Sequence, residues 1–378
     1  MVLPPLGSLP AGPYGGDARQ APGAVPSAGE VPSRLPRRTN RPVQPEPRAP
    51  ASADTGLDDL SASVRAGDIA ALARAITLIE STRPDHRERA DALLERLLAH
   101  AADTPTSSLR LGISGAPGVG KSTLIERLGL HAIGLGHRVA VLAIDPSSRR
   151  SGGSILGDKT RMPELAKDSR AFIRPSPAGQ SLGGVARRTR EAVLITEAAG
   201  FDRVIVETVG VGQSESDVAD MVDLFLVLVA PGGGDELQGM KRGNLELADF
   251  VVVTKCDGDL EAAARRAASD YAHALHLLRG AADTSVVAVS ALAGRGIDAL
   301  AAEIEQRAEA LTAAGAISAR RARQAGAALW REIGEGLTEA FRADSRVAPL
   351  LRSLEAEVAS GRLTPAAAAA QALAAFLT

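Results

Sequence analysis

Eight consecutive residues, Gly115-Ala116-Pro117-Gly118-Val119-Gly120-Lys121-Ser122, carry the spacing G-x-x-x-x-G-K-S, with Thr123 directly after them. Glycines spaced this way let successive backbone N–H groups turn inward on a chain of phosphates, and a helix starting at the end of the loop adds its positive pole. In such a loop the Lys121 ammonium reaches the β- and γ-phosphates and the Ser122 hydroxyl offers an oxygen to Mg²⁺. The alternative is a chance glycine-rich turn. An apolar run over residues 109–114 precedes the motif and a helical stretch follows from near Ser122, so the required strand–loop–helix context is met.

A second group of residues stands at the end of another apolar run, where Val204-Ile205-Val206 leads into Glu207-Thr208-Val209-Gly210. A carboxylate at a strand tip can hold Mg²⁺ or one of its waters, and the Gly210 amide can meet a γ-phosphate, which is the wiring of a hydrolysis-sensing switch. An ordinary strand end with a solvated glutamate is the plainer reading. A third group is Thr254-Lys255-Cys256-Asp257. The Asp257 carboxylate can accept from N1 and N2 of guanine while the Lys255 stem packs over the base. Adenine lacks that donor pair and would leave the carboxylate unpaired, so the motif selects GTP over ATP. Downstream, a backbone amide of Ser290-Ala291-Leu292 could meet guanine O6.

Two loops complete the set. Asp145 ends the run after the first helix, and Asp158 lies in the long segment that follows. Both acids suit Mg²⁺ or water positioning, and a solvated loop of turn residues is the alternative. The segment Pro231-Gly232-Gly233-Gly234-Asp235-Glu236-Leu237-Gln238-Gly239-Met240-Lys241 is too glycine-rich to be rigid and reads as a mobile loop with a cation at its end.

The elements that must position these residues follow from the hydrophobic pattern. Short runs rich in Val, Ile and Leu, over residues 109–114, 139–145, 171–174, 203–207, 224–229, 250–254 and 285–289, show no polar alternation. Strands of that kind are buried on both faces, which predicts an α/β fold with a mainly parallel sheet flanked by helices. Residues 56–105 predict a helical extension: Asp68 caps a helix with Ile69, Leu72, Ile76 and Ile79 on one face, and Leu93, Leu94, Leu97 and Leu98 make a second stripe. Residues 106–312 form the nucleotide domain. Residues 313–378 are helical again, with Trp330, Ile333, Leu337 and Phe341 on one stripe and Thr364-Pro365 starting a last helix. A lid over the domain and a dimerisation arm both fit this extension.

Twelve of the 22 prolines fall in the first 55 residues, which predicts a disordered start. Asp17, Glu30, Glu46 and Asp54 among the prolines argue against a mitochondrial presequence. A net charge of −2 and 45% apolar content give no footprint for nucleic acid, and no apolar run is long enough for a bilayer. Cys256, the single cysteine, excludes an internal disulfide or cysteine metal cage and suggests a reducing, cytoplasmic setting.

Taken in order, the strings GAPGVGKST, IDPSSRRSGGSILGDKTRM, RPSPAGQSLGGVARRTRE, ETVGVGQSE, PGGGDELQGMKRG and TKCDGD make the chain from about Gly56 onward resemble the MeaB/ArgK family of P-loop GTPases. Relatives of that family include the human methylmalonic aciduria type A protein. The resemblance implies a G-protein chaperone of an adenosylcobalamin-dependent acyl-CoA mutase, chiefly methylmalonyl-CoA mutase, that gates cofactor loading and protects the mutase. It implies GTP/GDP and Mg²⁺ as ligands, with Lys121 and Ser122 on phosphate and metal, and Asp145, Asp158 and Glu207 serving metal and switches. It also implies that Lys241 moves toward the nucleotide when the mutase is engaged, and that the C-terminal extension makes a homodimer. Thr254 departs from the family's usual Asn, whose side chain ties the base loop to the P-loop.

Two other functions are compatible with parts of this pattern. One is a kinase or ATPase of a lysine/arginine/ornithine transport system, for which no acceptor-recognition element is visible. The other is a metal-insertion GTPase, for which six scattered His and one Cys are a poor ligand supply.

Overall fold

The computed structural model describes residues 53–103, 107–145, 161–177, 182–208, 214–232, 242–279 and 284–377. The chain divides into two units, Met1–Ala49 and Pro50–Thr378, and all described residues belong to the second. The expected disorder of the proline-rich start lies outside them.

All seven expected runs are strands: β1 (Leu109–Gly115), β2 (Val139–Asp145), β3 (Ala171–Pro177), β4 (Arg203–Thr208), β5 (Leu224–Val229), β6 (Phe250–Val253) and β7 (Ser285–Ala288). They form one sheet of order β3-β2-β4-β1-β5-β6-β7. Every pairing is parallel. β3 runs past its expected end at Arg174 through Pro175 and Pro177. An edge strand tolerates prolines because one row of its amides is not needed for pairing, and β3 pairs with β2 alone.

Alternate residues of each strand feed two cores. Leu142, Val204, Val206, Phe225 and Val227 face one side, and Val141, Ile113, Ile205, Leu226 and Val252 face the other. Burial on both faces is what a parallel sheet requires and why its strands read as unbroken apolar runs.

Among the described residues three helices precede the sheet, one more than expected: α1 (Ala53–Arg65), α2 (Ile69–Glu80) and α3 (Pro84–Asp103). α1 buries Leu57, Ser61 and Val64 at helical spacing, but Gly56 and its acidic and serine residues keep it from reading as a helix of its own within the helical extension. Asp68 caps α2 as expected, accepting from the Ala71 amide at 2.7 Å. Leu72, Ile76, Ile79, Leu93, Leu94 and Leu97 are buried, whereas Ile69 and Leu98 from the same stripes are exposed. α2 and α3 pack on α5 (Leu182–Ala198).

The remaining helices are α4 (Lys121–Gly134), α6 (Ser214–Ala219), α7 (Arg242–Leu247), α8 (Glu261–Arg279), α9 (Ile297–Ala313), α10 (Ala316–Ala343), α11 (Val347–Ala359) and α12 (Pro365–Leu377). Thr364 caps α12 through the Ala367 amide. α10 is fastened to the domain by polar groups. Arg321 pairs with Asp223, which is fully buried, and donates to the Ser108 carbonyl at 2.8 Å. Gln324 donates to the Val222 carbonyl at 2.8 Å, and Arg331 pairs with Asp217 and Asp220 of the α6 region. The opposite flank, with Leu329, Trp330, Ile333 and Leu337, is exposed. The nucleotide domain therefore does not cover this stripe. α11 and α12 close a small separate core around Leu354, Ala368 and Ala372, with Phe341 of α10 against Phe376 at 5.3 Å between ring centroids. Among the described residues no helix is long and apolar enough to cross a membrane.

Candidate functional site

In this strand order the chain moves outward from β1 in one direction through β2 and β3, returns to β4, then crosses to β5 on the other side of β1. In open α/β sheets a ligand sits at such a reversal, outside the carboxyl ends of the strands. The G-x-x-x-x-G-K-S loop leaves β1 at this point and ends where α4 begins at Lys121. Gly115 has φ 149°, and a Cβ there would stand 2.5 Å from the Leu228 carbonyl, so no other residue fits. Gly120, at φ 105°, turns the loop into α4 without a side-chain cap, which leaves the first amides of the helix for a ligand.

The Lys121 side chain is buried and its Nζ donates to the carbonyls of Gly115 at 2.6 Å and Ala116 at 3.1 Å. Burial holds its pKa below the ordinary lysine value; Glu207 and Glu215 act in the opposite sense, and Arg161 reinforces the lowering. Ser122 Oγ donates to Glu207 Oε1 at 3.2 Å, across the join between α4 and β4. The register places Ile113 of β1 beside Glu207 and Ile144 of β2 beside Thr208. A hydroxyl and a carboxylate side by side at the phosphate end are hard oxygen donors, a set that fits Mg²⁺.

Beneath the loop lies a buried polar chain that sequence reasoning missed. Thr208 Oγ1 donates to Ser114 Oγ at 2.9 Å, and Ser114 Oγ donates to Glu215 Oε1 at 3.3 Å. It joins the end of β1, just before the glycine-rich loop, to the start of α6, the helix that follows β4. The signal available was Ser114, a polar residue at the buried carboxyl end of β1.

The residues expected to read the base come from two loops. Thr254 Oγ1 donates to the Val119 carbonyl at 2.6 Å, so the threonine makes the tie to the phosphate loop for which the family usually has Asn. Lys255 is exposed with φ 55°. Ser290 Oγ donates to Asp257 Oδ2 and accepts from the Ala293 amide at 3.0 Å. Ala291 is held by Arg127 Nε of α4, which donates to its carbonyl at 3.0 Å, while Leu292 is exposed. The glycine-rich loop and the helix it opens are therefore tied to the loops after β6 and β7, through Thr254–Val119 and Arg127–Ala291.

Of the other expected site residues, Asp145 is the last residue of β2, paired in register with Pro177. Asp158, Gly210 and Lys241 lie outside the described residues.

Comparison with known proteins agrees with this geometry. The family described as Methylmalonyl Co-A mutase-associated GTPase MeaB matches residues 72–346. A protein of Caulobacter vibrioides is 54% identical over 323 residues, 85% of this chain and 98% of that one. The mouse methylmalonic aciduria type A homolog, a mitochondrial protein, is 46% identical over 329 residues, 85% of this chain and 79% of its own. The crystal structure of a LAO/AO transport system kinase superposes with a TM-score of 0.68 at 36% identity, covering 86% of this chain and 99% of that one. With the glycine-rich loop after β1, the glutamate near the end of β4 and the T-K-x-D loop after β6 all at the carboxyl ends of the strands, the chain belongs to the MeaB family of mutase-associated P-loop GTPases.

Proposed function

We propose that this GTPase acts as a switch on an adenosylcobalamin-dependent acyl-CoA mutase, methylmalonyl-CoA mutase in the first instance, gating cofactor loading and protecting the mutase. The observation that carries the reading is the link from the nucleotide loop to the switch segment, Ser122–Glu207 and Ser114–Glu215, within a chain whose family description names that mutase. A site built only for turnover has no need to fasten the helix after the switch to the floor of the phosphate loop.

In this reading Lys121 neutralises charge developing on the γ-phosphate, and the loop amides orient the phosphates in line for attack by water. Ser122, Glu207, Asp145 and Asp158 would hold Mg²⁺, which when bound neutralises the β- and γ-oxygens. Asp257 selects guanine, with Lys255 over the base and the Ser290-Ala291-Leu292 loop at its edge. Lys241 would come to the nucleotide from its glycine-rich loop when the mutase binds. The exposed apolar flank of α10 supports a homodimer through the C-terminal extension, and the single cysteine supports a reducing compartment.

The test is GTP turnover with and without purified adenosylcobalamin-loaded methylmalonyl-CoA mutase, together with gel filtration of the mixture. Faster turnover and a complex are expected. No acceleration and no complex with any mutase of the class would overturn the proposal. The kinase named for the structural relative is separated by following labelled γ-phosphate: free phosphate supports the GTPase switch, and label on a protein side chain supports the kinase.

A further inference from the structure

We propose that Arg295 is a positioning residue for guanine selectivity, acting through the peptide that carries Asp257; the inference rests on reading Asp257 as the carboxylate that recognises guanine. Lys255 is the one non-glycine residue with positive φ among the described residues. An L-residue in that region is strained and persists where its surroundings over-determine it. Here the next residue, Cys256, is gripped through both of its backbone polar groups. The Cys256 amide donates to the Val289 carbonyl at 3.0 Å, and the Cys256 carbonyl accepts from Arg295 Nη2 at 2.9 Å.

That carbonyl belongs to the same planar peptide as the Asp257 amide, so Arg295 sets the plane from which the Asp257 side chain departs. Arg295 itself lies between Gly294 at φ 71° and Gly296 at φ 76°, and its own carbonyl accepts from the Ser290 amide at 2.9 Å. Ser290 returns the connection by donating to Asp257. The result is a closed circuit, Asp257 to the Cys256 peptide to Arg295 to Ser290 and back. Glu261 orients the guanidinium from outside at 3.1 Å. Asp257 makes no side-chain bond to the short 3-10 turn that it precedes. The direction of its carboxylate therefore depends on this circuit rather than on a helix cap.

The chemistry separates this role from simple surface stapling. A carboxylate aimed correctly accepts from both N1 and N2 of guanine, whereas inosine offers N1 alone. Loosening the circuit should weaken GTP binding, narrow the preference for GTP over ITP, and leave the phosphate end untouched. A charge-assisted bond to a carbonyl is worth about tenfold in an equilibrium constant.

The experiment measures KM and kcat for GTP, ITP, XTP and ATP in the full chain with Arg295→Gln, Arg295→Lys, Glu261→Gln and Asp257→Asn. Arg295→Gln should raise KM for GTP about tenfold, hold kcat within about twofold, narrow the GTP to ITP ratio and leave KM for ATP unchanged. Arg295→Lys should restore part of the loss, because an ammonium still donates to the Cys256 carbonyl, and Glu261→Gln should give a smaller rise in the same direction. An unchanged KM for GTP in Arg295→Gln, or a parallel loss for GTP and ATP, would overturn the inference. Asp257→Asn should shift preference toward XTP, since the amide donates to the oxygen that xanthine carries in place of the amino group. If that shift occurs and Arg295→Gln is silent, the Arg295 role fails alone; if it does not occur, the Asp257 reading fails.

Discussion

The Thr254 hydroxyl donates to the Val119 carbonyl at 2.6 Å, joining the loop after β6, expected to read the base, to the G-x-x-x-x-G-K-S loop after β1. Thr254 is 2% exposed, and its second oxygen contact, the Val229 carbonyl at 3.2 Å, lies on the strand next to β1. A hydroxyl carries one proton, and the shorter contact takes it. The side chain thus bridges the distance with one bond where the family's usual Asn has two donors. Thr254→Val keeps shape and removes the donor, leaving a buried carbonyl short of a partner at about 1–3 kcal/mol. GTP affinity measured by calorimetry should fall several-fold in Thr254→Val and hold in Thr254→Ser. Equal affinities in both variants would remove the tie from any account of nucleotide binding.

Residues whose role is set by local backbone chemistry were legible in the sequence. Gly115, Gly120, Lys121 and Ser122 are dictated by one turn and one helix start, and all stand where the spacing places them. The sheet was legible because strands buried on both faces cannot hide their composition. Two kinds of feature were not. α1 was lost because Leu57 and Val64 are too few to show a period amid serine and acid. Glu215, Ser114 and Arg295 were lost because their roles are long-range: Ser114 and Glu215 are 101 residues apart, and Arg295 meets the Cys256 carbonyl from 39 residues away. The exposed flank of α10 was half legible, since periodicity shows a stripe but not what covers it.

Lys121 gives a pH prediction. Its pKa lies below the ordinary 10.5 because burial disfavours the charged form more than Glu207 and Glu215 favour it. A lysine whose folded pKa is depressed costs stability while both states are protonated, and that cost is relieved as pH rises through the folded pKa toward the unfolded value. The charge that serves the phosphates is lost over the same interval. The alkaline limb of kcat/KM for GTP, which reports the free enzyme, should therefore fall below pH 10.5. Lys121→Ala should lose turnover by about two orders of magnitude or more. A limb at or above the ordinary lysine value would contradict the burial argument, and near-normal turnover in Lys121→Ala would contradict the assigned role.

Glu207 predicts a metal dependence. Its carboxylate meets Ser122 Oγ at 3.2 Å and is buried at the phosphate end of β4. Glu207→Gln keeps the size and removes the charge, so the Mg²⁺ concentration for half-maximal turnover should rise about ten- to hundredfold. Excess Mg²⁺ should recover much of the rate, and chelation should abolish it in both proteins. A titration curve that superposes on the wild type would show that Glu207 serves neither the ion nor its waters.

Trp330 offers a test of the C-terminal extension that leaves the nucleotide site alone. It is 74% exposed, beside Leu329 at 60%, Leu337 at 58% and Ile333 at 40%, while the other flank of α10 is fixed by Arg320, Arg321, Gln324 and Arg331. A helix usually turns its apolar flank to the core; here the polar flank holds the domain and the apolar one faces outward, as a self-complementary two-fold contact requires. Trp330→Glu places a charge at the centre of that stripe without touching the polar flank. Sedimentation velocity should show a dimer for the wild type and a monomer for Trp330→Glu, with basal GTP turnover and thermal stability of the nucleotide domain retained in the variant. A wild type that sediments as a monomer at micromolar concentration would leave the stripe to a different protein partner, and the mutase, added at the same concentration, is the first one to try.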